Sequence, residues 1–400
     1  MAGLIIKPPA NAENALDLPI LSVKHPGYPS RNLLLRLAAA DTDGAIKGIH
    51  YDTLHTACAI AAANRFDGYL SASPVRAAPP IPTQTGGIVP AGTYYFHVHY
   101  RPGDPLEQEQ GQTDDQAWPY PVVASFDDYQ FPHGRLPKLW NLLDPPAGYP
   151  SVSGDTDRCI LTASRTVRRA HIVPFVHSKW FGRNDMAQYG SRQGLEGDDA
   201  INDPRNRNML RDDLHRTSDA DVLALVPKLD AEGTTHLVAH FLMQPMDRVP
   251  ANIHNQSIRS TAWEGRGEIY FARFAWHVLR LMRSFLVHSL NGRAVVLVKN
   301  DESYETKIMD PPQLRARLPK SQSGSPQKKQ RTATGSTMRT PDLIEDGECD
   351  GAFAISSPDW SQDIDNVSSS AHDPSWDVEQ FTRGRKRMRV DSEGYDPLCV

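Results

Sequence analysis

Near the middle of a 400-residue chain, four side chains able to move a proton, hold a cation or pin a loop stand close together in sequence. His171 sits in the short apolar run Ala170-His171-Ile172-Val173-Pro174, Asn206 follows after an insertion, and His215 and Asp219 come four residues apart. Hydrolysis of a phosphodiester needs a water made nucleophilic and a cation that stabilises charge on the phosphate and on the departing oxygen. A neutral imidazole such as that of His171 suits the first task, because histidine ordinarily titrates near neutral pH. His215 can ligate a transition-type cation through its ring, and Asp219 adds a harder oxygen that also suits Mg²⁺. Asn206 is no base at neutral pH, but its amide can hydrogen-bond a backbone carbonyl and fix the loop after His171.

The surrounding pattern predicts how these residues are carried. Cys159-Ile160-Leu161-Thr162 and Val167 to Val173 read as two short strands joined by a turn through Ser164 and Arg165, the second ended by Pro174. Arg211 to Ala220 reads as a helix on which His215 and Asp219 lie one turn apart on one face. Two strands and a helix are expected to bring His171 against His215.

Ala170-His171-Ile172-Val173-Pro174, Asn206 and His215 resemble the HNH endonuclease motif with its ββα-metal fold, and the nine-residue step from Asn206 to His215 matches a common form of it. More narrowly, Cys159-Ile160-Leu161-Thr162, Trp180-Phe181, Asn184, Met186, Tyr189, Leu210, Asp213-Leu214-His215, Asp219 and Val226-Pro227-Lys228 resemble the HNH domain of a large group of fungal proteins. His25-Pro26-Gly27-Tyr28-Pro29 and Phe131-Pro132-His133 look like further parts of the same proteins. The resemblance implies His171 as general base, Asn206 as the loop-positioning residue and His215 as ligand to one divalent ion (Mg, Mn, Ni or Zn), with DNA a better expected substrate than RNA. Asp219 is added as a second ligand from its one-turn spacing, and Lys179, Arg183 and Arg192 in the insertion are candidates for phosphate contacts. Three departures stand out: Ala170 where many such nucleases place a metal-binding Asp or His, Ser218 where an aromatic is common, and Ala163 in place of a usual Gly. They keep a second expectation open, a catalytically inactive module that binds nucleic acid or protein.

For the whole chain we expect an α+β protein with a ββα-metal core. The expected division is a β-rich N-terminal domain over 1–150, the HNH-like domain over 151–235, a strand and amphipathic helix packing on it over 236–305, and a disordered tail over 306–400. Pro, at 32, outnumbers Gly, at 27, which favours loop-rich architecture. Thr53 to Asn64 reads as a helix, and Phe271 to Leu290 as a helix with an apolar stripe and Arg273, Arg280 and Arg283 on the other face. His97 with His99 and His236 with His240 have ligand-like spacings, but each pair sits in strand-like sequence, where a structural role is the better reading. Cys58, Cys159, Cys349 and Cys399 are far apart with no Cys-x-x-Cys, against a disulfide framework or a Cys-rich zinc knuckle. No apolar window reaches a membrane span and no signal-peptide pattern opens the chain, so an intracellular protein without a membrane partner is expected. The basic runs Lys328 to Arg331 and Arg383 to Arg389 are of the kind that act as nuclear-import signals or nucleic-acid contacts. The formal charge of -5 neither demands nor excludes a nucleic-acid partner.

Overall fold

The computed structural model describes residues 17–82, 87–100, 118–143, 157–191, 194–195, 197–245, 251–258, 266–288, 294–301 and 303–318. Arg192 and both tail basic runs lie outside the described residues. The first third of the chain alternates short strands with one helix: β1 (Ile20–Lys24), β2 (Leu33–Ala38), β3 (Asp41–Asp43), β4 (Ile46–His50), α1 (Tyr51–Ala61), β5 (Tyr69–Ser71), β6 (Ile88–Pro90) and β7 (Thr93–His97). They form two sheets, β2-β1-β7-β5 with β1 and β7 parallel, and β3-β4-β6. The Ala-rich sequence of α1 lets it bury almost all round, with Leu54, Ala57, Cys58 and Ile60 inside.

β8 (Val122–Val123) and α2 (Lys138–Asn141) lead into β9 (Arg168–His171), α3 (Ser178–Arg183), α4 (Gly197–Ile201), β10 (Arg207–Leu210) and α5 (Asp212–Asp219). An antiparallel hairpin follows, β11 (Leu223–Leu229) and β12 (Thr235–Phe241). The described chain ends with α6 (Gly267–Leu281), α7 (Arg283–His288), β13 (Ala294–Lys299), β14 (Tyr304–Met309) and α8 (Pro311–Arg317). β13 pairs antiparallel with β14 and parallel with β8, Val296 opposite Val122. The elements make an α+β fold within one compact unit. No helix among the described residues is long and apolar enough to cross a membrane.

α6 is the helix the rest packs around. It contacts α1, α2 and β11, and Tyr270, Phe271, Phe274, Ala275 and Val278 are buried. Each large apolar side chain so placed contributes roughly 1.5–3 kcal/mol. Phe271 meets Trp140 edge-on at 5.1 Å, and a Cβ at Gly267 would stand 2.5 Å from the Trp140 carbonyl, so only glycine lets α2 and α6 approach this closely.

Three sequence expectations change here. Cys159 to Thr162 is a turn and not a strand: Ala163 N–H donates to Cys159 O (3.0 Å), and Ala163 has φ +58°. Its apolar residues are buried without being extended, an ambiguity that a short apolar run cannot resolve by itself. The apolar stripe that begins at Phe271 belongs, as far as the described residues run, to two helices, α6 and α7, meeting at Met282. Regular structure also continues past residue 306, where composition predicts a disordered tail: β14 crosses that point, and α8 starts from a capping box between Asp310 and Gln313 with Pro311 at its first position.

Candidate active site

β9 and β10 pair antiparallel, with His171 opposite Arg207 and Ala170 opposite Asn208, and α5 follows β10 directly and packs on β9 and β11. Arg168 on β9 and Arg216 on α5 both bind the Asp212 carboxylate, at 2.7 and 2.8 Å, tying strand to helix at the exposed edge. Strand alternation sends His171 and Ala170 to opposite faces. His171 is half-buried, whereas Ala170 is 3% exposed and lies across from buried Asn208, whose Oδ1 accepts the Tyr270 hydroxyl at 2.8 Å. Position 170, where many such nucleases carry a metal-binding Asp or His, therefore points into the core.

Asn206, wholly buried, is used up in holding the chain just after His171. Its Oδ1 accepts Val173 N–H (2.8 Å), its Nδ2 donates to Val173 O (3.1 Å) and Ile201 O (2.8 Å), and its backbone carbonyl accepts Ile172 N–H (2.7 Å). The bonds to Ile172 and Val173 satisfy backbone groups that would otherwise be stranded where Pro174 ends the strand, and the bond to Ile201 O ties the end of α4 to them. The His171 ring in turn meets Asn202, with Nε2 2.9 Å from Oδ1, and that same oxygen accepts Arg207 Nη2 at 2.7 Å.

On α5, His215 Nε2 lies 3.2 Å from Asp219 Oδ2, and both side chains are partly open to solvent, 28% and 51%. Two ligand bonds of about 2.0–2.2 Å meeting at one ion put their donor atoms roughly 3 Å apart, so this pair fits a shared divalent cation. Asp219 Oδ1 is already taken by Arg273 Nη2 (2.8 Å). Arg273 comes from α6 and is 8% exposed. Besides Asp219 it donates to Ile172 O (3.3 Å), to Ser218 Oγ (3.1 Å) and to His277 Nε2 (3.0 Å). Ser218 thus serves as a hydrogen-bond acceptor where an aromatic would pack. Burial, with the Arg273 and Arg280 charges, holds His277 well below the ordinary histidine range, and its Nδ1 donates to Asp221 Oδ1 at 2.9 Å. Burial pushes the Asp221 carboxyl up to about 7 against the pull of Arg280 and Arg273. The polar face of α6 opposite its apolar stripe is directed into this ion-paired seam through Arg273 and Arg280.

Of the expected phosphate contacts, Lys179 is exposed on α3 and Arg183 is exposed but donates to Asp127 O at 2.9 Å. The sequence pattern does not mark Asn202 or Arg207 as parts of the site, and it gives no sign that Arg273 pairs with Asp219. Asn202 and Arg207 flank Asn206 closely enough to have been considered, while nothing local marks Arg273.

Residues 152–226 match the HNH endonuclease family model. The chain carries an HNH-type domain. The match spans β9, β10 and α5, and it implies nuclease-type chemistry on nucleic acid; α6, which supplies Arg273, lies beyond it. No curated protein and no solved structure matches the chain, so the wider likeness to fungal proteins rests on sequence motifs alone.

A second His–carboxylate cluster lies outside the HNH domain's strands and helix. Among the described residues it is the group of three with ligand atoms gathered within 4.8 Å: Asp41, His240 and His254. Lys228 stands among them. Its ammonium has three N–H bonds and donates to Asp41 Oδ1 (2.5 Å), Asn255 Oδ1 (2.7 Å) and His240 Nδ1 (3.1 Å). His254 Nδ1 accepts Phe241 N–H (3.1 Å), so its proton is on Nε2, which donates to Asp41 Oδ1 (2.9 Å) and has no lone pair for an ion. Although burial alone would raise Asp41, the His254 hydrogen bond and the Lys228 charge hold it far below the usual carboxylate range. Burial, reinforced by Lys228, keeps His240 well below its ordinary value and neutral. The ligand atoms that face one another, Asp41 Oδ1, His240 Nδ1 and His254 Nε2, are paired within the cluster, and the lysine takes the place of the cation, while His240 Nε2 is buried with no hydrogen-bond partner. The other spaced histidines are structural too: His236 Nε2 is 2.6 Å from Asp230 Oδ2, and His97 stacks on Tyr69 and donates to Ser73 O.

Proposed function

We propose that the protein is a metal-dependent HNH endonuclease that hydrolyses DNA phosphodiester bonds at the β9–β10–α5 site, with His171 as general base. The observation carrying this reading is Asn206: a fully buried amide whose hydrogen bonds hold the backbone just beyond a half-buried histidine that ends a strand. His171 takes the proton of the attacking water as the new P–O bond forms and the ester P–O bond breaks, and the departing oxygen is protonated from solvent. His215 and Asp219 Oδ2, the carboxylate oxygen not taken by Arg273, would hold one divalent ion, which when bound stabilises charge on the phosphate and on the leaving oxygen. Lys179, exposed on α3, would supply a phosphate contact.

The test is nicking of supercoiled plasmid by the purified full chain with Mg²⁺, Mn²⁺, Ni²⁺ or Zn²⁺. Nicking is expected with at least one of these, and His171→Ala is expected to lower it by about 10²–10⁴-fold. Wild-type nicking no greater than that of His171→Ala under all four metals overturns the reading.

A second reading, a non-catalytic module that binds nucleic acid, is favoured by one feature: Arg273 already occupies half of the Asp219 carboxylate. It predicts salt-sensitive DNA binding that persists in His215→Ala. Loss of that binding together with the metal would count against it.

A further inference from the structure

We infer that Asn202, oriented by Arg207, holds His171 in a single tautomer, with the proton on Nε2 and the lone pair on Nδ1, and so decides which ring atom accepts the water's proton. Arg207 Nη2 can only donate, so the Asn202 atom 2.7 Å away is the amide oxygen and not the nitrogen. That oxygen can only accept, and His171 Nε2 lies 2.9 Å from it, so Nε2 carries a hydrogen. In the neutral ring the other nitrogen, Nδ1, is then bare.

The geometry explains why this pairing is stiff. His171 and Arg207 are cross-strand partners in the β9–β10 register, which brings their side chains to one face of the pair. Asn202 sits between α4 and the Pro204–Asn206 turn, just before Asp203. Asp203 anchors this segment by accepting the backbone N–H groups of Arg205 (2.8 Å) and Ser191 (3.0 Å). Next to it, Asn206 binds the Ile201 carbonyl. Asn202 is thus fixed from both sides in sequence, and Arg207 fixes its amide rotation.

The catalytic meaning rests on the nuclease reading: water adds to phosphorus, its proton passes to His171 Nδ1, and the ester P–O bond to the departing oxygen breaks. The tautomer does not depend on that reading, and the experiment separates the two. Long-range ¹H–¹⁵N spectra of the ¹⁵N-histidine-labelled full chain, assigned by loss of one ring in His171→Gln, report which nitrogen is protonated. The wild type is expected to show His171 protonated at Nε2, and Asn202→Ala a mixture of both tautomers. Asn202→Asp, which keeps an oxygen acceptor in place, is expected to retain the Nε2–H form and, where nicking is measurable, to move the acid limb of its pH profile up by about one unit or more. Asn202→Ala should lower kcat with KM nearly unchanged. A wild-type ring protonated at Nδ1, or an Asn202→Ala ring with the wild-type tautomer, overturns the inference. Spectra as expected with no nicking in any metal leave the tautomer assignment standing and remove only the nuclease reading.

Discussion

The Asp41 and Asp219 clusters use the same residue types and end in opposite states. The Asp41 side chain, 4% exposed, is bound by Lys228, His254 and Asn255 at one oxygen and by His50 N–H at the other. Asp219, 51% exposed, gives one oxygen to Arg273 and turns the other toward His215. A carboxylate without water must find its whole set of partners within the chain, and a built-in ammonium then closes the site to other cations. A carboxylate that keeps water can leave a donor atom uncommitted. Ligand-like spacing is therefore less informative about metal binding than the solvent left around the donors.

Lys228→Met should cost the most, about 3–5 kcal/mol by chemical denaturation, because it strands the Asp41 charge in the interior. A loss below 1 kcal/mol would mean that the ammonium does not hold the cluster. Next comes Ala170→Asp. If position 170 merely lacked a ligand, this change would strengthen metal binding. Since Ala170 faces buried Asn208, we expect instead about 3 kcal/mol of destabilisation and no gain in Mn²⁺ affinity by calorimetry.

The contrast between the clusters can be read directly in a metal titration of the full chain. His215→Ala should weaken Mn²⁺ or Zn²⁺ binding by about 10–100-fold or abolish it, whereas His254→Ala should leave affinity and stoichiometry as in the wild type. Acid supplies a fourth test. The depressed folded-state pKa of His240 means that the unfolded chain binds more protons as pH falls below the ordinary value of 6.5, so stability is full above that pH and declines below it. Asp221 runs the other way, because its raised value lets the folded chain take up a proton between about 7 and 3.8 and so favours folding on the acid side. Replacing His240 with Gln should flatten the dependence of unfolding free energy on pH between pH 6 and 5 by about 1.4 kcal/mol per unit, one proton's worth. An unchanged slope would show that His240 is not held neutral. The smallest effect concerns the turn under β10: Ala163→Gly, relieving φ +58°, should stabilise by up to about 1 kcal/mol in thermal unfolding.

The parts of the candidate site legible in sequence were the short-range ones. His215 and Asp219 share a face because any helix places i and i+4 together, and the step from Asn206 to His215 spans one strand and the start of one helix. The run at Cys159 misled because burial and extension produce the same apolar pattern over four residues. Arg273 read as surface because a helix pattern reports which face is polar and not what that face meets.

What the sequence by itself determined was the set of reactive groups, their order and the local elements that carry them, since backbone geometry converts spacing into a shared face without help from distant residues. Only the tertiary structure decided which groups stay available. Lys228 closes over Asp41, Arg273 reaches Asp219 from a separate helix, and Ala170 turns inward across from Asn208. Desolvation imposes those choices: each buried polar atom must be paired with whatever the fold brings beside it, and no local pattern records that partner.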